Sequence, residues 1–159
     1  MKAWLVRIVA LIVFGVSFAL PAIRMGTGAS PQNQMAGWMC AVVASITAPK
    51  AMVQSLGQGV RIEEYLIPVS GLINYLFLAI LVLSFWRRLV RTRLVLGAIM
   101  DACIIATWVF FASSKITPLA GHYVWIAGAI LIVVPDFANL FTKQHAVAAS
   151  HADRIEAGR

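Results

Sequence analysis

Four apolar runs, each near the length of a membrane-crossing helix, limit the folds open to this chain more than any other feature; they occupy 3–23, 66–86, 94–112 and 122–141. About 20 apolar residues in helical form cross a hydrocarbon layer of about 30 Å while every backbone group bonds internally. The composition points the same way, with 61% hydrophobic and only 12% charged residues, against about a quarter charged in a soluble domain. The pattern predicts an all-α fold. It places a four-helix transmembrane bundle over 1–142 and a polar tail over 143–159, with no room for a separate soluble domain of ordinary size.

The first run resembles a signal peptide in having Met1-Lys2 before an apolar stretch. It is longer than a usual signal core, and Leu20-Pro21-Ala22 makes a poor cleavage site, so a retained helix is expected. The second run has Pro68 in its first turn, where a missing N–H is tolerated. Between these runs, a turn rich in Gly, Ser and Pro precedes a second apolar segment at 35–48. There Trp38, Met39, Val42 and Ile46 recur at helical spacing, opposite Gly37, Ala41, Ala44 and Ser45. About fourteen residues are too few to cross. An additional short amphipathic or re-entrant helix in the first outer loop is expected, with those four large residues as its interfacial contact. Gly57, Gly59, Arg61, Glu63 and Glu64 then read as a polar turn.

Basic residues set the orientation. With four crossings and an inside N-terminus, the cytoplasmic side holds Lys2, Arg7, Arg87, Arg88, Arg91, Arg93, Lys143, Arg154 and Arg159, leaving Arg24, Lys50, Arg61 and Lys115 outside. A fifth crossing at 35–56 would weaken this bias and bury Pro49 and Lys50 in lipid. The even count predicts a multi-pass protein of the bacterial inner membrane with both termini cytoplasmic. Its partners would be the bilayer and, at Arg87, Arg88, Arg91 and Arg93, anionic lipid headgroups. The formal charge of +7 is densest in that turn, without the basic stripe expected of a nucleic-acid interface.

Two acids, Asp101 and Asp136, fall inside apolar runs, where an ionised carboxylate costs at least about 2.5–3.5 kcal/mol. Counted at 1.5 Å per residue, they lie about 10 Å and about 8 Å from the cytoplasmic boundary, with Arg7 about 6 Å deep. One intramembrane polar cluster of Arg7, Asp101, Asp136 and Asn139 is therefore expected. It serves either as an ion-coupled site with closely spaced carboxylates or as an ion pair that locks helix packing. Pro135 should kink the last helix beside Asp136.

His122, at the outer end of the last run, either ligates the metal of a haem or chlorophyll or joins Tyr123 and Trp125 in an aromatic belt. His145 and His151 lie in the tail, so bis-histidine haem has no second ligand at matching depth. No cofactor and no metal site is predicted outright. Cys40 and Cys103 should lie at different depths as free thiols. Ala98, Ala102 and Ala106 form a stripe of small residues, and Gly121 and Gly128 lie two turns apart, both suited to close helix packing. Asn74, at mid-depth, needs an interhelical hydrogen-bond partner. The chain has no P-loop, nucleophile elbow or H-E-x-x-H motif, so no catalytic residue is proposed.

Ser17-Phe18-Ala19-Leu20-Pro21-Ala22, Ala36-Gly37-Trp38 and Leu119-Ala120-Gly121-His122-Tyr123-Val124-Trp125 carry a resemblance to a loose group of small, uncharacterised bacterial four-span inner-membrane proteins. The resemblance implies a bacterial inner-membrane bundle and no activity. The long first outer loop also resembles the claudin-like plan, but the paired loop cysteines of that family are missing. Three functions compete. One is a non-enzymatic accessory or interaction protein that docks on a larger membrane complex or blocks a membrane-targeted toxin. Another is a small ion-coupled transporter using Asp101 and Asp136, although no inverted repeat is visible. The last is a haem- or pigment-binding subunit using His122.

Overall fold

The computed structural model describes residues 3–26, 33–47, 49, 50, 53 and 62–157, with side chains described over 3–26, 33–47, 49, 50, 53, 66–86 and 88–142. The polar turn at 57–61 and the side chains of Glu63, Glu64 and Arg87 lie outside that description.

Helix α1, Ala3–Ser17, is followed by a turn and strand β1, Pro21–Arg24. Strand β2, Gln34–Ala36, leads into helix α2, Gly37–Val42, which widens into a π-helical turn at Val43–Thr47. Helix α3, Ile62–Leu83, and the 3-10 turn Arg87–Leu89 precede helix α4, Val90–Ser113. Strand β3, Thr117–Pro118, and helix α5, Ala120–Ala157, complete the order. Helix α5 runs through Pro135 and carries the expected tail onward as helix to Ala157.

The expected helix over 3–23 is corrected. Helix α1 has 15 residues, about 22 Å at 1.5 Å each. Its last turn tightens as Phe18, Ala19 and Leu20 donate to the carbonyls three residues back. Pro21 then ends the ladder, because it has no N–H and holds the preceding residue out of helical geometry. Among the described residues, three helical stretches are long and apolar enough to cross a membrane: Leu66–Leu83, Val90–Ser113 and Ala120–Thr142. The fold is mostly helical, as an all-α reading expects, and adds one small sheet. Strand β1 pairs antiparallel with both β2 and β3, with Ile23 opposite Met35 on one side and Pro118 on the other. Pro118 is accommodated because β3 is an edge strand. The sheet satisfies backbone groups where the connection from α1 to α2 meets the connection from α4 to α5.

Helix α1 lies antiparallel along α5, and α3 pairs with α4. The core is formed by Ala10 and Phe14 of α1, Ile73, Phe77 and Ile80 of α3, Met100 and Ile104 of α4, and Ala129, Ile132 and Val133 of α5. The Phe14 and Phe77 rings stack with centroids 3.9 Å apart, joining the two helix pairs. Lipid tails are as apolar as these side chains, so van der Waals fit holds such a bundle more than exclusion from water. Glycine makes the fit close: a β-carbon at Gly128 would lie 2.8 Å from the Phe14 backbone nitrogen.

Candidate functional site

The end of the bundle near the arginine turn is held by one buried carboxylate between two guanidiniums. Asp136 is 0% exposed. Arg93 donates to it from Nε to Oδ2 at 2.8 Å and from Nη2 to Oδ1 at 2.6 Å, the two-pronged pairing natural to a planar guanidinium. From α1, Arg7 Nη2 reaches both carboxylate oxygens at 3.0 Å. The remaining nitrogen of Arg93, Nη1, donates to the carbonyls of Leu83 and Trp86 at 3.0 and 2.9 Å. The Leu83 carbonyl lies at the C-terminal end of α3, whose partial negative charge suits a cation, and the Trp86 carbonyl lies in the turn just beyond it. The cluster carries a formal excess of one positive charge, and these carbonyls offset part of it. A single constellation thus ties α1, α3, α4 and α5 together.

This arrangement corrects four expectations. Arg93, expected at lipid headgroups, is 3% exposed and is the main partner of Asp136. Arg88 and Arg91 remain exposed. Asp101 does not join the cluster. It stands eight residues beyond Arg93 on α4, about 12 Å along the helix, and pairs with no described side chain. The ends of the apolar runs misjudge its depth, because α4 starts earlier and α5 continues past them. Asn139 is exposed on α5. The alanine stripe is also misplaced as a seat for the bundle: Ala98 and Ala102 are exposed and Ala106 half-buried. The packed face of α4 carries Arg93, Gly97, Met100, Ile104, Thr107 and Phe111 instead.

At the opposite end, beneath the sheet, lies a cavity of about 280 Å³ bounded by α1, β1, β2, α2, α3, α4 and the start of α5. The local sequence explains its shape. The π-helical turn of α2 sets Ser45 against α3, where its carbonyl accepts from Tyr75 Oη at 3.1 Å and its Oγ from Asn74 Nδ2 at 2.9 Å. Asn74 Oδ1 accepts from Trp125 Nε1 at 3.0 Å. Asn74 therefore bridges α2, α3 and α5 along the cavity wall. Gly121 and Gly37 let the turn after α1 approach, a β-carbon at Gly121 meeting the Pro21 carbonyl at 2.8 Å.

His122 lines this cavity and is 5% exposed. It is therefore not a residue of an outer aromatic belt, although it is ringed by aromatics: Phe111 at 4.7 Å, Trp125 at 5.4 Å and Trp108 at 5.7 Å between centroids. Comparison with family models, curated proteins and solved structures finds no match. Among the described residues, no three His, Cys, Asp or Glu side chains stand together as metal ligands. Cys40, half-buried, lines the cavity, whereas Cys103 is buried in the core; both are free thiols. The four large residues of the α2 segment face outward, with Trp38 57% and Ile46 51% exposed and Met39 and Val42 also exposed.

Replacing Asn74 with leucine removes both side-chain bridges. Interhelical hydrogen bonds of this kind contribute about 0.6 kcal/mol on average and up to about 1.7 each. The variant is expected to lose about 1–2 kcal/mol of stability in reversible unfolding in mixed micelles.

Proposed function

We propose that this chain is a non-enzymatic accessory protein of the bacterial inner membrane, a four-crossing bundle with cytoplasmic termini that docks on a larger membrane protein. The observation that carries this reading is the closed state of the Arg7, Asp136 and Arg93 cluster. Both carboxylate oxygens are engaged by two arginines, so the buried acid fastens helices and is not poised to exchange an ion. A carrier built on Asp101 and Asp136 would need them in one layer, and about 12 Å of helix separates Asp101 from that level. The short helix α1 serves as the fourth crossing because, with its following turn, it accompanies α5 from Asp136 to Gly121. Its outer face, including Leu5, Ile8, Ile12 and Val16, is exposed and apolar.

The docking surface in this reading is the outward face of α2. Its tryptophan and aliphatic side chains can anchor either to a partner or to the headgroup boundary. Purification from native membranes in mild detergent, followed by mass spectrometry, tests this. A defined larger protein should co-purify in fixed ratio and be lost when Trp38 and Ile46 are both replaced by serine. Recovery of the chain without a stoichiometric partner would overturn the proposal.

A further inference from the structure

We infer that the outward face of α4 around Asp101 receives a transmembrane helix of another membrane protein, one that presents a lysine or arginine to this carboxylate at mid-bilayer depth. Asp101 is the twelfth of the 24 residues of α4, about 16 Å from one end of the helix and about 18 Å from the other. In a hydrocarbon layer of about 30 Å that position is the middle. There an ionised side chain is costly and is normally paired or turned into a polar interior. Neither holds in this chain. Asp101 is half-buried at the edge of the packed face of α4, next to the buried Met100 and one turn from the buried Ile104. Among the described residues it has no ion-pair partner. Arg7 and Arg93, the arginines nearest in depth, are both committed to Asp136.

Charge and shape set the occupant. A second copy of this chain would bring another carboxylate to the same depth, with its own arginines committed in the same way, so it supplies no opposite charge. The cation of a lipid headgroup stays at the boundary, about 15 Å away. A basic side chain on a partner helix meets the same cost in lipid as Asp101 does, and pairing offsets both. The surface beside the carboxylate suits a helix. Ala98 and Ala102 are exposed, and the bundle makes no use of them. Small side chains let a second backbone come close, while the exposed Ile105 and Val109 extend the contact along the helix. The inference rests on the docking reading for the existence of a partner and names the intramembrane chemistry that holds it, on a face separate from that of α2.

A peptide in place of the partner tests this. The probe is a membrane-spanning helix of about 20 leucines with one lysine at its centre and an acceptor dye. It is added to the full chain, carrying a donor dye at its C-terminus, in phosphatidylcholine vesicles. Energy transfer should show the lysine peptide bound about 10-fold more tightly than the same peptide with leucine at its centre, since a charge-assisted bond is roughly twice as strong as a neutral interhelical one. Asp101→Leu should abolish this preference, and Asp101→Glu should keep it. Ala102→Phe, which leaves the carboxylate but obstructs the approach, should weaken it. Circular dichroism and gel filtration establish that each variant is folded, and Asp101→Leu should unfold in mixed micelles no more readily than the wild type. Equal binding of the two peptides, or a preference that survives in Asp101→Leu, would overturn the inference. Loss of stability in Asp101→Leu would overturn it too, by showing that the carboxylate is spent inside the fold. Energy transfer between two labelled copies of the chain, present without peptide and lost in Asp101→Leu, would reject the basic partner and assign the face to a second copy. The assay contains no native partner, so its failure and an empty purification from native membranes are separate results.

Discussion

Asp136→Ala is expected to destabilise the bundle by about 3–5 kcal/mol, the cost typical of removing one partner from a buried ion pair. Two guanidiniums would be left facing each other, Arg93 at 3% and Arg7 at 13% side-chain exposure, with no carboxylate between them. The loss follows from burial and not from great strength in the intact cluster. Replacing all three charges, with Arg7→Met, Asp136→Leu and Arg93→Met, should therefore recover much of it. Recovery should stop short of wild type, because the Leu83 and Trp86 carbonyls lose the donor they now share. Arg93→Lys keeps the charge but not the fork, and should fall between these variants. Unfolding by sodium dodecyl sulfate in mixed micelles, followed by helicity, gives the comparison. A change within about 0.5 kcal/mol for Asp136→Ala, the range of an ordinary surface substitution, would show that the cluster does not hold the helices.

The second large effect is expected at Gly71. A β-carbon there would meet the Ala44 carbonyl and the following backbone, atoms with little freedom to yield. Overpacking typically costs about 1–3 kcal/mol, and backbone obstruction places Gly71→Val at the upper end. The damage should be local as well as energetic. The Ser45 bridges to Asn74 and Tyr75 depend on that close approach, so α2 should separate from α3. Cys40, now half-buried, should then react faster with a membrane-permeant maleimide in a Cys103→Ser background. Ala102→Val, on the exposed face of α4, is the matched control and should alter neither stability nor reactivity.

Apolar run length found α3, α4 and α5, since each carries enough consecutive apolar residues to be read without knowing its neighbours. It did not find β1. Pro21-Ala22-Ile23-Arg24 is short and apolar, and what makes it a strand is pairing with Met35 and Pro118, which no local pattern reports. A count of basic residues sends Arg93 to the headgroups, because it treats every arginine in the turn alike. Its register held better information: Arg93, Gly97, Met100, Ile104, Thr107 and Phe111 recur at three and four residues and mark one buried face of α4. The same test rejects Ala98 and Ala102, which lie off that face. The position of His122 on a cavity wall is not legible in the sequence, because the cavity is made by six other elements converging from distant parts of the chain.

The strand order β2-β1-β3 also bears on biogenesis. Residues 21–24 leave the ribosome well before 117–118, so one of their two pairing edges stays bare until those have been made, and α1 waits for α5 as its packing partner. Loop closure across such a distance makes this the slow step of assembly. Truncated chains that stop before the last helix would expose an unpaired β edge and an uncovered apolar flank, the features that invite quality-control proteases.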